Sequence, residues 1–146
     1  MSSPAVLNVP EHMVSVRLKI SALWIAMLFL FAYGDIFGFF VPGRLDELAE
    51  GEISGIEITQ GFLLAVSIYV AIASAMVFLT LVLRRVLNRW INLVLPCLYA
   101  ISIVASVIGE DHAYFFFLSA AEIVLLATIA RYAWTWPVED PASQQR

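Results

Sequence analysis

Four long apolar blocks, separated by short polar stretches, dominate this sequence. They run from about 20 to 41, 61 to 83, 90 to 108 and 113 to 136. The first block is about 22 residues long, or roughly 33 Å of α-helix at ~1.5 Å per residue, which is enough to cross a hydrocarbon core of ~30 Å. The blocks therefore predict an all-α integral membrane protein, built as a bundle of four transmembrane helices.

The composition excludes an ordinary soluble domain. Hydrophobic residues make up 62% of the chain and charged residues only 14%, which is far from the balance of a soluble protein of this length. The net charge is −4, and the few basic residues form no patch with interleaved aromatic residues that would suit nucleic acid. We therefore expect the lipid bilayer to surround the chain, and no nucleic-acid partner.

Polar stretches set the predicted domain limits. We predict a cytoplasmic N-terminal segment, a four-helix transmembrane domain and a cytoplasmic tail, at residues 1–16, 17–136 and 137–146. Pro42 and Gly43 end the first block, and the acidic stretch from 44 to 60 has room for a short interfacial helix. Pro96 lies inside the third block, where neighbouring helices make a kink more plausible than a break.

Lysine and arginine residues gather on one side of a four-span arrangement. Basic side chains in short loops stay in the cytoplasm, whereas acidic side chains count for little. When the terminal Arg146 is left out of the count, only Arg44 lies on the other side, against six basic residues: Arg17, Lys19, Arg84, Arg85, Arg89 and Arg131. The same side holds four tryptophans, whose amphipathic rings favour the headgroup region: Trp24, Trp90, Trp134 and Trp136. We predict that both termini are cytoplasmic (N-in/C-in).

Small residues recur at helical spacing within two of the spans. Gly34 and Gly38 form one such pair in the first span, and Ser67, Ala71 and Ala75 form a longer stripe in the second. Lipid tails give helices no hydrophobic reason to associate, so small residues that allow close approach become important. We expect these faces to pack inside the bundle or against another subunit, and ordinary bundle packing is the simpler explanation.

Asp35 and Glu122 are acidic residues placed well inside the spans. A charge at membrane depth costs about 2.5–3.5 kcal/mol even on a lenient insertion scale. Both residues fall in the outer half of antiparallel helices, so they can form one acidic site that holds a proton or a cation. In the competing structural interpretation each carboxyl group is protonated or hydrogen-bonded separately, and Glu122 pairs with Ser119 one turn away.

Motifs for conventional catalysis are missing from the sequence. It has no Walker A loop, no GxSxG elbow, no CxxC and no His/Cys/Asp/Glu cluster at metal-ligand spacing. Both histidines, His12 and His112, lie outside the spans, which disfavours bound haem, and Cys97 is the single cysteine. We expect no cofactor and no metal, and the balance is against an enzyme without excluding one.

Five short runs carry a resemblance to a known family. They read KISALW at 19–24, AYGDI at 32–36, EITQ at 57–60, AMV at 75–77 and NRWIN at 88–92. Together they resemble a family of small bacterial four-span membrane proteins of unknown function, over roughly residues 17–135. The resemblance implies a four-helix bundle in a bacterial cytoplasmic membrane, and it supplies no activity, cofactor or catalytic residue.

Three function classes are compatible with these features, in a definite order. The first is a non-catalytic membrane module that packs with itself as a homo-oligomer or with a membrane-protein partner. The second is a proton- or cation-linked transporter or channel using Asp35 and Glu122. Four short spans seldom enclose a full alternating-access path, so this second class needs at least a dimer. The third is a membrane-embedded enzyme that acts on a lipid or a quinone.

Overall fold

The computed structural model describes residues 15–53 and 55–136, which form four long helices, one short helix and a small β-hairpin. In chain order the elements are α1 (Val16–Gly38), α2 (Arg44–Ala49), β1 (Glu52–Ile53), β2 (Ile56–Glu57), α3 (Gln60–Val82), α4 (Arg85–Ser106) and α5 (Ala113–Trp134). The predicted tail lies outside the described residues, and so does the predicted N-terminal segment except for its last two residues.

The four long helices of the described chain are α1, α3, α4 and α5, and each is long and apolar enough to cross a membrane. Each has 22 or 23 residues, which corresponds to about 33 Å at ~1.5 Å per residue. The predicted count of four spans therefore agrees with the structure, and the chain has the make-up of a multi-pass membrane protein.

Helix ends depend on backbone capping as well as on hydropathy. α1 begins at Val16, in the polar flank of the first apolar block, because the Ser15 hydroxyl accepts a hydrogen bond from the Leu18 N–H at 3.3 Å. α4 begins at Arg85, before the predicted block, and continues through Pro96 without a break. The helices thus start in the polar flanks of the apolar blocks.

A small β-hairpin makes the predicted all-α class inexact. After α2, Glu52 pairs with Glu57 and Ile53 with Ile56 in antiparallel register. Gly55 lies in the turn with a φ of 76°, a left-handed conformation that glycine adopts without strain. The acidic stretch from 44 to 60 therefore forms a short helix followed by a hairpin. Its glycine turns are local features that a hydropathy pattern does not reveal.

The helices pack unequally around the core. α1 packs against α3 on one side and α5 on the other, and α5 also packs against α4. α3 and α4 are joined by a short turn, yet their backbones approach each other much less closely along their length. All four helices contribute to the core, which includes Trp24, Met27, Met76, Tyr99, Ile103, Leu126 and Ile129.

The two ends of the bundle carry different elements. At one end lie α2, the two strands and the turn between α4 and α5, and we call it the hairpin end. At the opposite end lie the start of α1, the turn between α3 and α4, and the end of α5, and we call it the basic end.

Candidate functional site

Glu122 is the acidic side chain that the bundle encloses. It lies on the inward face of α5 with Ser119 and Leu126, and only 7% of its surface is exposed. Within the described residues its carboxyl group forms no hydrogen bond, and the predicted bond to Ser119 is not present. No fully enclosed side-chain oxygen or nitrogen in that part of the chain lacks a partner. The unpaired oxygens of Glu122 are therefore not fully enclosed by the protein.

Asp35 lies in the last turn of α1 and is exposed. Its carboxyl group is within electrostatic range of Glu122, although no hydrogen bond joins the two side chains. In the antiparallel α1–α5 pair, Gly34 lies beside the Leu118 side chain and Gly38 beside the Tyr114 hydroxyl. This alignment places Asp35 about five residues, or ~7.5 Å, closer to the hairpin end than Glu122.

The Tyr69 hydroxyl of α3 is within electrostatic range of the Glu122 carboxyl group, and it belongs to a chain of hydrogen-bonded hydroxyl groups on α3 and α4. The Ser102 hydroxyl donates to the Tyr99 carbonyl oxygen at 2.8 Å. Its oxygen is 2.7 Å from the Tyr69 hydroxyl, which must therefore be the donor in that bond. The Tyr99 hydroxyl in turn donates to the Tyr69 carbonyl oxygen at 2.5 Å. These bonds join two helices whose backbones are far apart.

Three aromatic rings close the centre of the bundle at about the height of Glu122. The ring centres of Tyr69 and Tyr99 are 4.4 Å apart, and Phe31 lies 5.6 Å from Tyr69 and 6.1 Å from Tyr99. We call Phe31, Tyr69 and Tyr99 the aromatic layer. Asp35 follows Phe31 by one helical turn on α1, so it lies on the hairpin-end side of this layer.

A second cluster of hydrogen-bonded polar residues lies between the aromatic layer and the basic end. The Trp24 indole N–H donates to Asn92 Oδ1 at 2.8 Å, Asn92 Nδ2 donates to Asn88 Oδ1 at 2.7 Å, and Asn88 Nδ2 donates to the Thr80 carbonyl at 2.6 Å. All four residues are completely buried. This inner polar network joins α1, α3 and α4, and the sequence indicated it only through two asparagines four residues apart.

The prediction that Trp24 lies in the headgroup region is therefore wrong. Its ring is fully buried, whereas Trp90 and Trp134 are 61% and 66% exposed. The difference arises because Asn92 offers the indole N–H a hydrogen-bond acceptor inside the bundle, and a paired indole loses its reason to stay at the interface.

The two predicted small-residue faces lie in different surroundings. Gly34 and Gly38 face α5 at ordinary van der Waals distance from its side chains. The stripe of Ser67, Ala71 and Ala75 is exposed. It lies on the side of α3 opposite to the buried residues Ala73, Met76 and Thr80.

Glu110 organises the turn that precedes α5. Its Oε1 accepts the backbone N–H groups of Asp111 and His112 at 3.1 and 3.2 Å and contacts Nδ1 of the His112 ring. The hydrogen bond from the His112 ring is the largest of the effects that lower the pKa of Glu110. Within the described ranges no three His, Cys, Asp or Glu side chains come together as a metal site would require.

Comparisons with known proteins give one positive result. Neither a curated protein nor a solved structure shows significant similarity to the chain. The sequence model of a family of unknown function, DUF6326, matches residues 8–143. This match bears out the resemblance to an uncharacterised family. The chain belongs to the family of unknown function DUF6326.

Proposed function

We propose that this protein binds a proton or a cation at an acidic site formed by Glu122 and Asp35, open toward the hairpin end. The observation that carries the proposal is Glu122, which is 7% exposed in a membrane-spanning helix and has no hydrogen-bond partner among the described residues. An unpaired carboxylate at membrane depth is costly. Glu122 therefore holds a proton or has a cation beside it.

Asp35 has a supporting part in this proposal. It is exposed near the hairpin end, about five residues or ~7.5 Å outward of Glu122. An ion entering from that end meets the Asp35 carboxylate first and Glu122 second. The hydroxyl of Tyr69 is within electrostatic range of Glu122, and we propose that it offers a further oxygen to an ion at the deeper position.

The aromatic layer favours binding over a continuous pore in this conformation. Phe31, Tyr69 and Tyr99 are packed together at about the depth of Glu122, which supports a site that opens to one side only. Transport would need a rearrangement and, since four spans seldom enclose an alternating-access path, a second copy of the chain.

We also propose an orientation and a location. Both termini are cytoplasmic, and the membrane is a bacterial cytoplasmic membrane. The support is the distribution of charge: among residues 15–53 and 55–136, six basic residues lie at the basic end and only Arg44 lies near the hairpin end. The acidic site then faces the outside of the cell.

A hydrophobic carbodiimide tests the acidic site directly, because it reacts with protonated carboxyl groups that it reaches from the lipid phase. We expect mass spectrometry of the labelled full-length protein to place the adduct on Glu122. Labelling should fall as the pH rises or as a bound cation displaces the proton. Glu122→Gln should abolish the adduct, and Glu52→Gln, which changes an exposed acid of the hairpin, should leave it unchanged.

Asp35→Asn tests whether the two carboxyl groups act together. The variant should keep the adduct on Glu122 but shift the pH at which labelling falls, because a neighbouring charge is removed. Flux measurements in proteoliposomes then separate binding from transport. The proposal would be contradicted if Glu122 were not labelled and if the melting temperature changed neither with pH nor on addition of cations.

A partner-binding module is the second candidate function. The observation in its favour is α3, the least enclosed of the four spans, which presents Ser67, Ala71 and Ala75 on its exposed side. Small residues are the usual means by which membrane helices approach closely. We propose that a second copy of the chain or another membrane protein packs there.

A further inference from the structure

The basic end of the bundle is strongly positive. Six cationic side chains lie there, from α1, the α3–α4 turn, α4 and α5: Arg17, Lys19, Arg84, Arg85, Arg89 and Arg131. The acidic side chains in ranges 15–53 and 55–136 all lie toward the hairpin end: Asp35, Asp46, Glu47, Glu50, Glu52, Glu57, Glu110, Asp111 and Glu122. The basic end therefore attracts anions from its surroundings.

Two of these cations lie over aromatic rings of α5. Lys19 Nζ lies 5.7 Å from the centre of the Tyr132 ring, and the Arg89 guanidinium lies 5.8 Å from the Trp134 ring. Arg89 also donates to the Trp134 carbonyl at 3.2 Å. Lys19 is exposed, and its ammonium group forms no hydrogen bond within the described chain, so its three N–H donors are available to an external acceptor.

An apolar groove of about 630 Å³ lies between α1 and α5. Only apolar side chains line it, among them Ala26, Phe29, Leu30, Ala120 and Leu125. The alanines leave room between the larger side chains. A groove of this kind on a membrane helix pair suits a hydrocarbon chain.

The groove and Lys19 lie on one side of the bundle. Ala26 follows Lys19 by seven positions and Leu125 precedes Tyr132 by seven, which is close to two helical turns in each case. Each pair therefore shares a helix face. The groove begins about 10 Å from the Lys19–Tyr132 pair, at ~1.5 Å per residue. The Lys19 ammonium group thus lies near the membrane interface, and the apolar groove extends from there toward the membrane interior.

We propose that this face of α1 and α5 binds an anionic phospholipid. The headgroup phosphate lies at Lys19 beside Tyr132, and one acyl chain occupies the groove. Charge complementarity selects the headgroup, because a phosphodiester accepts hydrogen bonds from the ammonium group and the surrounding basic end favours a lipid with net negative charge. This site is separate from the acidic site at Glu122 and does not depend on it.

Native mass spectrometry of the full-length protein tests the proposal with phosphatidylglycerol and phosphatidylcholine of identical acyl chains. The wild-type protein should retain phosphatidylglycerol in preference. Lys19→Gln should reduce this preference about fivefold, the factor that corresponds to ~1 kcal/mol for one basic residue at a membrane surface. Arg84→Gln is the matched control, because it removes one charge from the same end but on the α3–α4 turn, and it should reduce the preference much less.

A groove variant tests the acyl-chain half of the site. Ala120→Phe places a ring in the groove at an exposed position, so it should lower retention of both lipids and keep the preference between them. Circular dichroism and thermal melting check that each variant is folded. Equal losses for Lys19→Gln and Arg84→Gln would indicate diffuse attraction and overturn the site, and so would equal retention of the two lipids by the wild type.

Discussion

Asn92 contacts three elements through one amide group. Its oxygen accepts from the Trp24 indole, and its Nδ2 donates to Asn88 Oδ1 at 2.7 Å and lies 3.4 Å from the Thr80 hydroxyl. All of these groups are buried, where an unpaired polar group is costly because neither water nor lipid can replace its partner. The bonds of Asn92 therefore fix how α1, α3 and α4 are rotated toward one another near the basic end.

Replacing Asn92 with alanine should lower the free energy of unfolding by about 1–3 kcal/mol, because the Trp24 N–H is left buried without an acceptor. The matched control is Thr128→Ala. In the described part of the chain the Thr128 hydroxyl bonds only to the Val124 carbonyl of its own helix, at 2.7 Å, so the loss should stay within about 0.5 kcal/mol. Denaturant titration in mixed micelles measures both variants. Equal losses would mean that the inner polar network contributes no stability of its own.

The sequence identifies single residues of interest only where a polar residue interrupts an apolar block. Asp35 and Glu122 stand out because a charge inside an apolar block is unusual. Trp24 does not stand out, since whether an indole lies in a headgroup region or a core depends on a partner from another helix. Asn92 lies 68 positions away from Trp24, and no local pattern connects the two residues. The shared acidic site likewise remains a prediction until ion binding is measured.

Among the elements, α3 illustrates why a span is easier to predict than its orientation. Its residues are apolar on almost every side, so the sequence gives length and depth but no preferred face. The spacing of Ser67, Ala71 and Ala75 predicted a tight contact. In the monomer the buried face instead carries Ala73, Met76 and Thr80. Met76 and Thr80 join Ala73 in the contact with the neighbouring helices, and the stripe stays exposed.

Replacing Ala71 with isoleucine should weaken self-association and leave the stability of the single bundle unchanged. The reason is that a branched side chain on an exposed small-residue stripe prevents the close approach of a second helix. Ala73→Ile is the matched control, because Ala73 is completely buried and overpacking there should destabilise the bundle by about 1–3 kcal/mol.

Light scattering in detergent and thermal melting separate these two outcomes. If wild type and Ala71→Ile have the same mass in detergent and the same melting temperature, the stripe faces lipid and the partner-binding function loses its support.

At the scale of the whole molecule, charge is divided between the two ends. The described basic residues other than Arg44 lie at the basic end, and the described acidic residues lie toward the hairpin end. Four spans with this division were predictable, because apolar length and the placement of arginines are local properties of the sequence. The small hairpin was not predictable, because two-residue strands are set by glycine turns and leave no periodic pattern.

The division of charge leads to a prediction about topology. A reporter fused to the C-terminus should be active only in the cytoplasm, and one inserted next to Glu52 should be active only outside, because short basic loops are retained in the cytoplasm. The two positions control for each other, since each reporter should give the opposite result at the other site. If the two reporters gave the reversed activities, the predicted orientation would be wrong and the acidic site would face the cytoplasm.

The pairing of α3 with α4 also has a mechanical consequence. Near the basic end the two helices are tied by a short turn and by the bond from Asn88 to Thr80, and farther along only by the bonds among Tyr69, Tyr99 and Ser102. Beyond Ser102 no hydrogen bond joins them within the described chain. We therefore expect such a pair to hinge at the basic end. A small change of angle would widen the gap most at the hairpin end, less at the depth of Glu122, and hardly at all at the Asn92 bonds.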